Sequence, residues 1–472
     1  MPPSFPANFR FGLGDSDLQV IGEQYCLDKE GAETSMWLEF CLKNTTTWNS
    51  DTPLPGVDRY HLWEQDIELL CKLGIKHFRT SVSPCRTLKR DGTPNAKGLN
   101  WYKNFLGRLK ERGISTYVTL YHWELPQFLQ DKGGWTNYAT VEFLRKHTEV
   151  VARELGHLID EYFTVNEPWC ASFLGHHIGV HAPGEKSLAM ALAAAHNILL
   201  ANASMSEELW SQIPYAKVGA VLSTLPCYAM TSTEEDLKAV RYADECCNGW
   251  FLDPLFAGHY PEALLELVLP KMPKIGAGDM RAIQVGGKMH CLGINNYYGL
   301  MVEHDDASEL RYRSKLIQDA PTNDLGWPIF MPPYYPTGLY DMLHQIWHGY
   351  RNFGLKRMYV SENGMAEKPN FDENGKLLPD SRRIGYLNEH LERVVKAIRA
   401  SIPVEAYFAW TFLDNFEWEH GYRPESCFGL VHVDRETMKR TPKASAHWYS
   451  ELANTGYAPP VPGQHLPPPP SE

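Results

Sequence analysis

The chain has 472 residues, about three times an average domain, but large barrel folds reach that length, so it does not by itself require several domains. Lys plus Arg number 45 and Asp plus Glu 57, a balance of −12, and an acidic surface repels the phosphates of nucleic acid instead of neutralising them. Hydrophobic residues make up 43%, a globular share that excludes general disorder.

The N-terminus, Met1-Pro2-Pro3-Ser4-Phe5-Pro6, has neither a basic leader nor the ~7–15 apolar residues of a secretory signal. The longest apolar stretch, 187–205, is interrupted by His196, Asn197 and Asn202, which predicts a buried helix and no membrane span. Ten cysteines lie scattered without a C-x-x-C pair. Reduced thiols and a cytoplasmic location are therefore expected.

Short β-branched and aromatic runs predict strands at 9–14, 77–83, 115–122, 161–166, 217–223, 291–297, 356–362 and 404–410, with longer amphipathic segments between them. Helices are predicted over 60–73, stopped by Gly74, and over 382–400, stopped before Pro403. Eight strands alternating with helices predict an α/β fold, a single (β/α)8 TIM barrel with elaborated loops at the C-terminal face of the strands. Residues 1–458 are read as this one domain. Residues 459–472 hold seven prolines in fourteen positions and are expected to form an extended or disordered tail.

In such a barrel the C-terminal strand ends face a common mouth, so polar residues there are the first to inspect. The fourth run ends in Thr164-Val165-Asn166-Glu167-Pro168-Trp169 and the seventh in Val360-Ser361-Glu362-Asn363-Gly364. Two carboxylates in one mouth are the minimum equipment for splitting a glycosidic bond, one to protonate the leaving oxygen and one to meet the positive charge at the anomeric carbon. The roles need different surroundings: Glu167 must hold a proton near neutrality, and Glu362 must stay ionised beside donors. Arg79 is the candidate cation and Tyr297 the candidate neutral donor.

A sugar also asks for amides, carboxylates and imidazole around its hydroxyls and an aromatic plane against its C–H face. Gln19 follows the first run, His122 ends the third and Trp410 ends the eighth, with Glu417 and Trp418 in the loop beyond. Glu417 is placed to accept from two adjacent hydroxyls.

These residues resemble glycoside hydrolase family 1, the β-glucosidase family of (β/α)8 retaining enzymes. The resemblance spans nearly the whole chain and rests on "YHWELPQ" at 121–127, "TVNEPW" at 164–169, "HAPG" at 181–184, "WFLDP" at 250–254, "GINNYY" at 293–298, "VSENG" at 360–364 and "WTFLDNFEW" at 410–418. It implies Glu167 as acid/base and Glu362 as nucleophile, with Arg79, Asn295 and Tyr297 supporting the nucleophile. It further implies that Asn166 binds the sugar 2-hydroxyl, that Gln19, His122, Trp410, Glu417 and Trp418 form the glycone site, and that Trp327 stacks on the leaving group near the entrance. The implied activity is β-glucosidase-type hydrolysis, extending to galactosides or fucosides, of small β-glycosides or short β-linked oligosaccharides. It needs no cofactor and no metal, and involves no nucleic acid and no membrane; a homo-oligomer is left open. A transglycosylase on the same scaffold shares every one of these residues, and a non-catalytic sugar-binding relative is the rival from another class. Where the family commonly has Trp-Pro after the second strand and Tyr-Gln-Ile-Glu-Gly in the first loop, this chain has Pro84-Cys85 and Leu18-Gln19-Val20-Ile21-Gly22.

Overall fold

The computed structural model describes residues 4–43, 46–330 and 334–462. Eight strands, β1 (Arg10–Gly14), β2 (His77–Ser81), β3 (Ser115–Tyr121), β4 (Glu161–Asn166), β5 (Val218–Ser223), β6 (Cys291–Asn295), β7 (Met358–Asn363) and β8 (Val404–Trp410), close into one parallel barrel. Every run read from the sequence is a barrel strand. The largest differences are at strand ends: Val82-Ser83 and Asn296-Tyr297 leave the ladder as the chain turns into the mouth, and β7 begins at Met358, two residues later than read. Strands covered on both faces read as near-continuous apolar runs, because neither face meets water.

The barrel interior is packed. Tyr117, Phe163, Val221, Cys291, Tyr359, Ala406 and Phe408 form one buried cluster, and Gly12 makes room for it, since a Cβ there would lie 2.4 Å from the Phe408 ring. The N-terminal end is sealed by polar groups that satisfy each other. Arg10 donates to Glu161 at 2.7 Å and to the Tyr117 hydroxyl at 3.0 Å, its guanidinium lies 4.4 Å over the Tyr359 ring, and Tyr359 donates to the other Glu161 oxygen at 2.9 Å.

Amphipathic helices form the outer layer. Arg59–Lys72 ends just before Gly74, whose φ of +68° suits glycine alone without cost, and Ser381–Arg399 ends before Pro403. The apolar stretch at 187–205 belongs to Leu188–Gln212, started by the Ser187 hydroxyl accepting from the Met190 N–H. By length and composition this helix could cross a membrane, yet 67% of its most apolar window is buried inside the protein. Its alanines Ala191, Ala194 and Ala195 are fully covered, letting it pack closely on Ala139–Leu155.

Loops on the C-terminal side carry two small sheets, Cys227–Ala229 with Leu300–His304 and Tyr312–Ser314, and Val431–Val433 with Arg440–Pro442. All ten cysteines are free thiols. Of the proline-rich segment, Pro459 accepts a hydrogen bond from the Trp448 indole at 2.9 Å, and residues 463–472 lie outside the described residues.

Candidate active site

Strand register brings the polar residues to one level. Gly14 pairs with both Arg79 and Trp410, and Asn295 pairs with both Ser223 and Glu362. Gly364 then lets the exit of β7 pass against β8, since a Cβ there would lie 1.9 Å from the Trp410 carbonyl oxygen. Above this level opens a cavity of about 190 Å³.

Glu362 stands at the end of β7, 3% exposed. Arg79, rising from β2, donates from Nη1 to Oε1 at 2.5 Å, and Tyr297 donates its hydroxyl proton to Oε2 at 2.6 Å. Both carboxylate oxygens are thus held by donors, one of them a cation, which fixes the orientation of the carboxylate. The second Arg79 nitrogen, Nη2, donates to Asn166 Oδ1 at 2.6 Å.

Glu167 begins the loop after β4, with a φ of +46° that turns its side chain into the cavity. Its contacts are of another kind. Asn295 Nδ2 donates to its Oε1 at 2.9 Å and Asn295 is itself oriented by Ser361, which donates to its Oδ1 at 2.7 Å. Burial, followed by the charge on Glu362, pushes the Glu167 carboxyl up from the ordinary 4.5 to about 8. A desolvated acid without its own cation keeps its proton near neutrality. The two glutamates therefore have the unequal surroundings that acid and nucleophile require.

Asn166 is saturated on one side: its Oδ1 accepts from Arg79 and Asn295, while its Nδ2 donates to His122 Nε2 at 3.2 Å. That contact makes His122 Nε2 the acceptor and places the ring proton on Nδ1. Burial and then Arg79 push His122 well below the usual imidazole range, so the ring is neutral. Its Nδ1 is buried without a partner, a donor available to a hydroxyl in the cavity. The ring lies nearly parallel to Trp410 and Trp418, at 5.8 and 6.1 Å between centroids.

Gln19, in the short helix Asp17–Ile21, is fixed by Ser16, which donates to its Oε1 at 2.7 Å, and by donating to the Phe416 carbonyl at 2.8 Å. It also reaches Glu417 Oε2 at 3.4 Å. Glu417 is pushed well above the usual carboxylate range, by burial first and then by the charge of Glu419.

Of the twelve residues named from the sequence, nine line the cavity: His122, Glu167, Asn295, Tyr297, Trp327, Glu362, Trp410, Glu417 and Trp418. Arg79, Asn166 and Gln19 are buried beneath it and act through the residues they hold. The structure adds Trp169, Leu174, Val180, His181, Tyr298, Glu419, His420 and Phe428 to the wall. Most of these could have been found, because Trp169, His181 and Tyr298 sit inside the quoted motifs and Val180 and Glu419 directly beside them. Leu174, His420 and Phe428 carry no such signal. Pro84 and Cys85, where the family's usual residues are replaced, open the buried turn Pro84–Thr87 and lie outside the cavity wall.

The family model for glycosyl hydrolase family 1 matches residues 1–457. The chain belongs to that family. β-Glucosidase A of Acetivibrio thermocellus is 34% identical over 458 residues, covering 96% of this chain and 99% of that protein. A bifunctional β-D-glucosidase/β-D-fucosidase of Bifidobacterium breve is 33% identical over 462 residues, covering 94% and 97%. Among solved structures, the family 1 β-glucosidase of Thermotoga maritima superposes with a TM-score of 0.90 at 34% identity, over 97% of this chain and 100% of that one.

Proposed function

We propose that the chain is a retaining β-glucosidase that removes terminal non-reducing β-D-glycosyl residues from small glycosides or short β-linked oligosaccharides. The observation that carries this is the contrast between the two cavity glutamates: Glu362 is clamped by Arg79 and Tyr297, and Glu167 is buried with its proton held up to about 8.

In the first step a Glu362 oxygen attacks the anomeric carbon while Glu167 gives its proton to the departing oxygen, leaving a glycosyl ester on Glu362 and a free alcohol. Esterification removes the Glu362 charge, which is the second cause of the raised Glu167 value. With that charge gone the proton affinity of Glu167 falls, so it stands as a carboxylate and takes a proton from water as general base. The hydroxide equivalent attacks the anomeric carbon, the ester bond breaks, and the sugar leaves with its original β configuration. Arg79 and Tyr297 receive the Glu362 charge back at the end of the cycle.

Glucose is the proposed glycone, with galactose or fucose tolerated. Glu417, steadied by Gln19, supplies the acceptor and His122 Nδ1 the donor that such hydroxyls need. The Bifidobacterium relative is named for both glucoside and fucoside activity. Proton NMR of the first-formed sugar from an aryl β-glucoside tests the proposal: the β anomer is expected before mutarotation, and the α anomer would refute the double displacement.

A further inference from the structure

The far wall of the cavity holds an acid that the reaction does not use. Glu419 immediately follows Trp418 in the short turn Trp418–His420. Its Oε2 accepts from His181 Nε2 at 2.8 Å, while its Oε1 lies 3.6 Å from His420 Nε2, beyond hydrogen-bond reach. The side chain is 29% exposed and lines the cavity. One carboxylate oxygen is therefore anchored and the other is left with free lone pairs in a half-desolvated space.

Its surroundings place it on the leaving-group side. Tyr298, whose ionisation Glu419 opposes, and Trp327 stand at 5.2 Å ring to ring, and Trp327 lies 6.4 Å from the His420 ring. Trp169 faces the same space. Aromatic faces attract cations and give polar leaving groups a plane to lie on. Among the described residues the cavity wall has no lysine or arginine, and the one guanidinium beneath it, Arg79, is taken by Glu362 and Asn166. His420 is held below the usual imidazole range, burial being the main cause, so it offers no compensating charge.

We propose that Glu419, anchored by His181, is a specificity-determining residue that reads the leaving group. It favours β-glycosides whose leaving group carries a protonated amine, takes a hydroxyl donor less strongly, and turns away a carboxylate. The ammonium meets an ionised acceptor and aromatic faces at once; the hydroxyl meets only the acceptor; the carboxylate meets a like charge with no free cation to offset it. This deepens the β-glucosidase reading and rests on it.

The experiment compares three aryl β-glucosides whose phenols have similar acidity: para-aminomethyl, para-hydroxymethyl and para-carboxyl. For the full chain at neutral pH, kcat/KM is expected to fall in that order, with roughly tenfold or more between the first and the last. Glu419→Gln keeps the size of the side chain and a bond to His181 but removes the charge. It should compress the spread to about threefold or less and change the hydroxymethyl substrate by less than about threefold. These are ratios within one preparation, so they do not depend on the fraction of variant that folds. A flat series in the unsubstituted protein, or a spread that survives in Glu419→Gln, overturns the proposal. If the unsubstituted protein cleaves none of the three, the β-glucosidase reading itself fails, a result distinct from loss of order among substrates it does cleave.

Discussion

Tyr297 gives its hydroxyl proton to Glu362 Oε2 at 2.6 Å, on the oxygen that Arg79 leaves untouched. The bond is to a charged acceptor in a buried site, the stronger class of hydrogen bond, typically ~1.5–3 kcal/mol. Its removal leaves Glu362 held by Arg79 alone, with the second oxygen no longer fixed. Tyr297→Phe should lower kcat/KM for an aryl β-glucoside by roughly 10- to 100-fold with the fold intact. Steady-state kinetics with circular dichroism as control provide the check, and an unchanged rate would remove Tyr297 from the nucleophile's support.

Glu362→Gly should abolish turnover, by at least on the order of 10³-fold, because no group replaces the nucleophile. The space left behind admits a small anion. Added azide is expected to restore part of the activity and to yield the α-glycosyl azide, identified by NMR. Substantial hydrolysis by the untreated variant would mean that another residue attacks.

Proton donation by Glu167 matters in proportion to how poorly the leaving group departs on its own. Glu167→Ala should spare activated aryl glycosides in the first step and cripple alkyl glycosides, and azide should then give the β-glycosyl azide. In the unsubstituted protein kcat/KM reports the free enzyme, so its alkaline limb should fall as pH rises through about 8, the value to which Glu167 is raised. A uniform loss across leaving groups, or an alkaline limb unaltered in Glu167→Ala, would contradict the acid role.

The same group shapes stability. A carboxyl raised from 4.5 to about 8 on folding binds its proton more tightly in the folded state. Its contribution is fully present at pH values below 4.5 and is lost progressively as pH rises through about 8. Glu167→Gln keeps the shape and has no proton to lose. Its melting temperature should match the unsubstituted protein near pH 4.5 and exceed it by a few degrees at pH 8, by calorimetry. A difference of the same size at both pH values would point to a packing effect instead.

The barrel was legible because parallel strands buried on both faces leave uninterrupted apolar runs, each followed by the polar residues of the mouth. The limits of those runs were less so: Val82-Ser83 and Asn296-Tyr297 each still carry one β-branched or aromatic residue, but they turn out of the ladder into the mouth. The site was legible wherever function concentrates residues in one short segment, as in 164–169 and 410–418. Contacts that join distant segments were not, such as His181 with Glu419, 238 positions apart. The unequal surroundings of the two glutamates were legible as a demand of the chemistry, with Arg79 and Tyr297 named for Glu362, but the burial that raises Glu167 is a property of the assembled pocket and not of a tripeptide.

Arg10, Glu161, Tyr117 and Tyr359 cork the lower end of the barrel, so traffic uses the upper aperture alone. While the glycosyl ester persists, the released alcohol must leave the cavity, whose wall includes Trp327 and Trp169, before water arrives by the same route. Departure and arrival thereby share one aperture, and a sluggish first product stands in the way of the water that must follow it.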